Sequence, residues 1–206
     1  MHSPEFIFDG PHDAPLTIAL AHGAGAPMDT PFMDAFASGL GKHGLRVARF
    51  EFPYMAERRN TGKKRPPNSA TVLIETWAAV IDELGPENLV IGGKSMGGRI
   101  ASMVADDAAV KGLVCLGYPF HPSGRPEKVR TEHLLDLKTP ALFLQGTRDS
   151  LGNPEDVAGY KLSGSIRLKW LEDGDHGFKP RKKSGRSEQQ NWDEAIAAFA
   201  TFAMSL

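Results

Sequence analysis

Short, mostly apolar runs that stop abruptly at glycine or proline recur along this chain, and stretches of helical periodicity separate them. Residues 16–21 read Leu-Thr-Ile-Ala-Leu-Ala and break at His22-Gly23-Ala24-Gly25-Ala26-Pro27. Residues 46–52 end at Pro53, 88–92 run into Gly93, and 112–116, 141–145 and 166–171 repeat the pattern. Between them, residues 31–42, 70–84, 96–105, 154–162 and 189–204 carry helical signals; Phe32, Phe36 and Leu40 share one face. A strand that is apolar on both faces belongs in a sheet covered on both sides. Strands separated by helices make right-handed βαβ units, which put ligand chemistry at the carboxyl ends of the strands. The expected fold class is α/β, with a mainly parallel sheet of six or seven strands, helices on both faces and one domain over residues 1–206. Residues 56–68, 119–139 and 172–187 are expected to be loops.

A chain of 206 residues can bury about 70% of its unfolded surface, enough for a full core without staples. The net charge of −1 argues against a dedicated nucleic-acid binder. Cys115 is the one cysteine, which excludes an internal disulfide and a CxxC metal site, and its place inside an apolar run reads as a buried, inert thiol. The sequence has no apolar run of about 18 residues, and its start, MHSPEFIFDG, lacks the regions of a signal peptide. The expectation is therefore a cytoplasmic protein without membrane contact. No HExxH or carboxylate cluster appears, so no metal and no cofactor are expected. Nothing in the sequence bears on oligomeric state.

The strongest local signal is Gly93-Lys94-Ser95-Met96-Gly97. It matches G-x-S-x-G and falls between a strand and a helix, where that motif makes a sharp turn and lifts the serine clear of the sheet. Small residues at 92, 93, 97 and 98 remove clashes at such a turn. The following helix turns free N–H groups and the positive end of its dipole toward the serine. A phosphate-binding loop is the competing reading of Gly93-Lys94-Ser95. It requires a glycine at position 88, which is Asn88.

A serine hydroxyl becomes a nucleophile only beside a general base. On a strand–elbow–helix scaffold the acid and the histidine follow in that order, each after a later strand. Asp149, in Gly-Thr-Arg-Asp, follows the strand at 141–145; His176, in Asp-Gly-Asp-His-Gly-Phe, follows the strand at 166–171. Ser95, Asp149 and His176 are the expected catalytic set, with Asp173 and Asp175 as reserve acids. His2, His12, His43 and His133 sit away from strand ends. The Met96 N–H and the Ala24 N–H, with Gly25 next in line, are the expected oxyanion donors.

Taken together, AHGAGA, GGKSMGG, LQGTRDSLG and GDHGF resemble the α/β-hydrolase superfamily over residues 21–178. The size is similar to the small, lidless dienelactone-hydrolase-like branch, and closer still to a hydrolase-like group related to a subunit of a nuclear acetyltransferase complex. The resemblance implies a serine hydrolase that cleaves a small ester or thioester through an acyl-enzyme. The rival expectation is a catalytically weak interaction module on the same fold. About twenty residues separate the strand at 112–116 from Thr139, too few for a multi-helix cap.

Two basic runs stand apart. Residues 58–65 and 179–186 hold 10 of the 24 Lys and Arg and no acidic residue. Both follow strand or site segments and would rim the site, where Arg58 and Lys179 would favour an anionic substrate; a pair of solvated loops is the competing reading. His121 and Lys94 are further candidates for substrate contact, although Lys94 adjoins Ser95 at a sharp turn and suits a structural role better than a Ser–Lys dyad.

Overall fold

A computed structural model describes residues 4–206; His2 lies outside them. Among the described residues, seven strands form one sheet in the order β1-β3-β2-β4-β5-β6-β7. They are β1 (Phe6–Asp9), β2 (Thr17–Ala21), β3 (Arg46–Phe50), β4 (Leu89–Lys94), β5 (Gly112–Leu116), β6 (Ala141–Gly146) and β7 (Ile166–Leu171). Only β1 runs antiparallel, pairing Phe6 with Phe50 at the sheet edge. Sequence periodicity does not reveal it, because four partly exposed residues among prolines carry no alternation.

Alternation along the strands feeds two cores. Ala19, Ile91, Leu113, Cys115 and Phe143 point to one face, where α3 (Ala70–Leu84) and α4 (Met96–Val104) bring Trp77, Val80 and Ile100. Ile18, Leu20, Val90, Val114 and Leu144 point to the other, met by Phe36 and Leu40 of α1 (Pro31–Lys42) and Phe199 of α6 (Glu188–Met204). The apolar runs are thus two interleaved faces, each with its own helical cover.

Helix starts follow local chemistry. Thr30 caps α1 by accepting from the Met33 N–H, with Pro31 as the first helical residue. Ser187 and Gln190 form a capping box on α6.

Two expectations need correction. Residues 53–61, read as a strand end and a loop, form the helix α2 (Pro53–Thr61). Pro53 suits the first helical turn, and Gly62 closes the helix in the left-handed region at φ 71°. Only Tyr54 and Met55 are buried there, so the sequence shows no apolar stripe. The helix α5 (Pro154–Ala158) stops four residues short of the expected end. Between β5 and β6 the chain makes only a 3-10 turn at Glu132–Leu134, and no cap is inserted. Among the described residues, no helix is long and apolar enough to cross a membrane.

Candidate active site

Ser95 stands between β4 and α4 with φ 51° and ψ −114°. A serine in that region costs on the order of 1–3 kcal/mol, and such strain persists only where the surroundings enforce it. Here they do. The Ser95 N–H donates to the Leu116 carbonyl at 3.0 Å, and its own carbonyl accepts the Arg99 N–H at 3.0 Å. A Cβ on Gly97 would lie 2.6 Å from the carbonyl oxygens of both Ala21 and His22, so α4 can start this close to β2 only with glycine there. Met96, as the first helical residue, has no carbonyl one turn back to receive its N–H.

Asp149, in the turn after β6, is wholly buried. Its Oδ2 accepts from His176 Nδ1 at 2.8 Å and from Gln145 Nε2 at 2.9 Å, and Oδ1 accepts the Leu151 N–H at 2.9 Å. A carboxylate only accepts, so Nδ1 of His176 carries a proton, and in the neutral imidazole Nε2 is the bare nitrogen. Gln145 is fixed in turn: its Oε1 accepts the Tyr118 N–H at 2.7 Å, and its Nε2 also donates to the Tyr118 and Gly152 carbonyls. The sequence reading passed over Gln145. A polar residue closing an apolar run was the available signal.

The turn after β7 brings His176 back over the sheet. A Cβ on Gly146 would fall 2.3 Å from the Gly174 carbonyl oxygen, so the acid and histidine turns touch through glycine. Lys94 Nζ donates to the His176 carbonyl at 2.5 Å. Burial pushes the Lys94 ammonium down to about 8, against the charges of Asp149 and Asp175. Its bond ties the elbow strand to the histidine turn.

His22 shapes the loop after β2. It is wholly buried; Nε2 accepts the Phe52 N–H at 3.1 Å, so Nδ1 carries the proton and donates to the Gly23 carbonyl at 2.8 Å. Burial lowers its pKa, which favours this neutral form. Gly25 is not a free donor: its N–H points to the Tyr54 hydroxyl at 3.3 Å. Ala24 is exposed and lines the cavity described next.

Ser95 and His176 line one cavity of about 330 Å³, with Lys94 and Ala24 beside them. Phe32 and Met33 of α1 and Trp192 and Glu188 of α6 form its far wall. Ser95 and His176 share the cavity without a hydrogen bond between them; in substrate-free sites such contacts are often long and tighten on binding.

Other expected residues lie elsewhere. His121 is buried, bonded through Nδ1 to the Pro122 carbonyl, with Nε2 3.5 Å from Asp156, and does not line the cavity. Lys179 is exposed outside it, its N–H held by Asp175 Oδ1 at 3.0 Å. Arg58 also lies outside the cavity wall and spans to the Gly25 carbonyl at 2.9 Å. Both reserve acids are occupied, Asp173 by Arg181 and Asp175 by the Gly177 and Lys179 amides. Much of the basic surplus is neutralised: Arg59 pairs with Asp29 and Glu51, Arg65 with Glu57, Arg181 with Asp173 and Arg186 with Glu194.

A second Ser–His contact joins Ser102 Oγ to His133 Nε2 at 2.9 Å. Ser102 spends its hydroxyl proton on the Arg99 carbonyl at 2.7 Å. His133 is therefore the donor in that pair and cannot take a proton from Ser102. The contact is structural.

Among the described residues, no group of three or more His, Cys, Asp or Glu could hold a metal.

Comparison with known proteins agrees with this architecture. The chain belongs to the α/β hydrolase domain family, which it matches over residues 14–204. It shares its fold with a lidless α/β serine hydrolase of Xanthomonas campestris at 18% identity and a TM-score of 0.72, covering 98% of this chain and 88% of that one. A dienelactone hydrolase from Anabaena variabilis matches at 19% identity and a TM-score of 0.72, over 99% of each chain. A monoacylglycerol lipase of Paleococcus ferrophilus gives 14% identity and a TM-score of 0.73, over 98% of this chain and 100% of that one.

Proposed function

We propose that this protein is a serine hydrolase that cleaves a small ester or thioester through an acyl-enzyme. Ser95 is the nucleophile, His176 the general base and acid, and Asp149 the group that orients the imidazole. The observation that carries this reading is the buried Asp149 carboxylate bonded to His176 Nδ1 at 2.8 Å, beside a cavity that Ser95 also lines.

His176 Nε2 takes the proton of Ser95 Oγ as that oxygen attacks the substrate carbonyl. The carbonyl oxygen becomes negative and is met by the Met96 and Ala24 N–H groups. The carbon–oxygen or carbon–sulfur bond then breaks, and His176 returns the proton to the departing alcohol or thiol. Water, deprotonated by the same nitrogen, releases the acid and restores Ser95. Phe32, Met33 and Trp192 give the cavity an apolar wall suited to a small hydrocarbon or aromatic group. A cytoplasmic location accompanies this reading. An anionic substrate is its sharper form, supported by the exposed Lys179, which follows His176 by three residues and forms no ion pair among the described residues. Turnover of anionic esters should then depend more on salt than turnover of neutral ones.

A fluorophosphonate probe is the direct test. Wild-type protein should label and turn over short p-nitrophenyl esters, and Ser95→Ala should do neither. Folded wild-type protein that neither labels nor turns over any ester would favour the interaction-module reading instead.

A further inference from the structure

Side chains hold three consecutive peptide units in the loop after β2. The Gly23 carbonyl accepts from the buried His22 Nδ1 at 2.8 Å. The Gly25 N–H donates to the Tyr54 hydroxyl at 3.3 Å, and the Gly25 carbonyl accepts from Arg58 Nη1 at 2.9 Å. These groups belong in turn to the Gly23–Ala24, Ala24–Gly25 and Gly25–Ala26 peptides. The Ala26 N–H closes the turn on the Gly23 carbonyl at 3.4 Å. Further along, the Met28 N–H donates to Glu51 Oε1 at 3.2 Å, and Arg59 bridges Glu51 and Asp29.

Tyr54 and Arg58 share one face of α2, because they stand four residues apart on a helix. Among the described residues, Arg58 pairs with no carboxylate, so its recorded partner is the loop backbone. Gly25 has φ 78° and open space where a Cβ would stand, so glycine is needed there for the backbone and not for room. The loop also runs against the elbow: a Cβ on Gly23 would lie 3.7 Å from Ser95 Cβ and 3.4 Å from Lys94 Cγ. Between the held peptides, the Ala24 N–H donates to no protein group among the described residues. A donor stabilises a developing oxyanion best when its direction is fixed before the reaction. A glycine-rich turn does not fix that direction by itself.

On the serine-hydrolase reading above, we propose that Tyr54 and Arg58 are positioning residues that lock the Ala24 N–H toward the carbonyl oxygen Ser95 attacks. Neither lines the cavity. They act through the loop, Tyr54 by holding the peptide just after Ala24 and Arg58 by holding the next one. Helix α2 is thus a clamp on the oxyanion loop, and the Arg58 guanidinium serves the backbone there.

Steady-state kinetics on a neutral p-nitrophenyl ester tests this with two variants. Arg58→Met keeps the stem and loses the donors; Tyr54→Phe keeps the ring and loses the acceptor. In each, kcat should fall about 10- to 10²-fold with KM nearly unchanged, because an interaction made in the transition state is weakened. Arg58→Lys, which can still donate one N–H, should recover part of the loss. Affinity for a trifluoromethyl ketone, which adds Ser95 Oγ and places an oxyanion in the hole, should fall by the same factor as kcat/KM. Affinity for the corresponding carbinol, which forms no oxyanion, should stay at the wild-type value. Arg58 lies outside both cores, so Arg58→Met should melt close to wild type. Wild-type kcat and ketone affinity in both variants would overturn the proposal. So would a loss confined to KM and equal for ketone and carbinol, the mark of a side chain that shapes the pocket. In either case, fluorophosphonate labelling of wild-type Ser95 leaves the hydrolase reading standing. Folded wild-type protein that does not label removes that reading and the clamp together.

Discussion

At the scale of single residues, the site depends on which proton each group holds. Asp149 fixes the His176 tautomer, and Gln145 and the Leu151 amide fix Asp149. Asp149→Asn leaves the shape almost unchanged but can offer its amide N–H to Nδ1, which moves the ring proton to Nε2. Ester turnover should fall by about 10³–10⁴ while the melting point stays close to wild type. Steady-state kinetics beside a thermal melt checks both halves. Ser102 and His133 illustrate the reverse case. The same two residue types lie 2.9 Å apart with the proton running the other way, so proximity alone does not make a catalytic pair.

At the scale of elements, two turns build the proposed site. The elbow holds Ser95 in a strained conformation because α4 starts against β2, an approach only glycine at 97 permits. The histidine turn is held by Asp173, which binds the Arg181 amide and guanidinium. The Arg181 guanidinium holds the Asp173 carboxyl down to about 2, from an ordinary 3.8. A depressed folded-state pKa means the stabilisation is complete above the unfolded value and fades as pH drops through about 2. Asp173→Asn should therefore be less stable than wild type at neutral pH, with the gap closing in strong acid. Urea unfolding across that range measures it, and asparagine tolerates the left-handed backbone of this position, φ 51°.

At the scale of the whole molecule, the sheet must be filled on both faces before its upper edge can hold a site. Trp77 of α3 is fully buried, edge-on to Phe50 with ring centres 4.8 Å apart, and its indole N–H has no partner. Trp77→Ala should cost about 3–5 kcal/mol in chemical denaturation. Trp77→Phe should cost much less, because it also removes the unpaired N–H. The folded fraction of each should still label at Ser95, since Trp77 lies below the site rather than in it.

The sequence by itself determined the local grammar of this protein. Periods of two and 3.6 residues give strands and helices from nearest neighbours alone. Glycines around Ser95 marked the elbow, and the order Ser95, Asp149, His176 marked three strand ends. Helix α2 and strand β1 escaped because neither carries an apolar repeat; packing by Tyr54 and Met55 and pairing with β3 stabilise them. Only the tertiary structure decided which histidine meets which carboxylate. Asp149 and His176 lie 27 residues apart, and Lys94 and the His176 carbonyl 82 apart. It also turned Gly25 from donor to occupied partner and moved His121 and Lys179 off the cavity wall. Such contacts depend on the parallel stacking of distant strands, and hydrogen bonds across that distance leave no periodic trace in the chain.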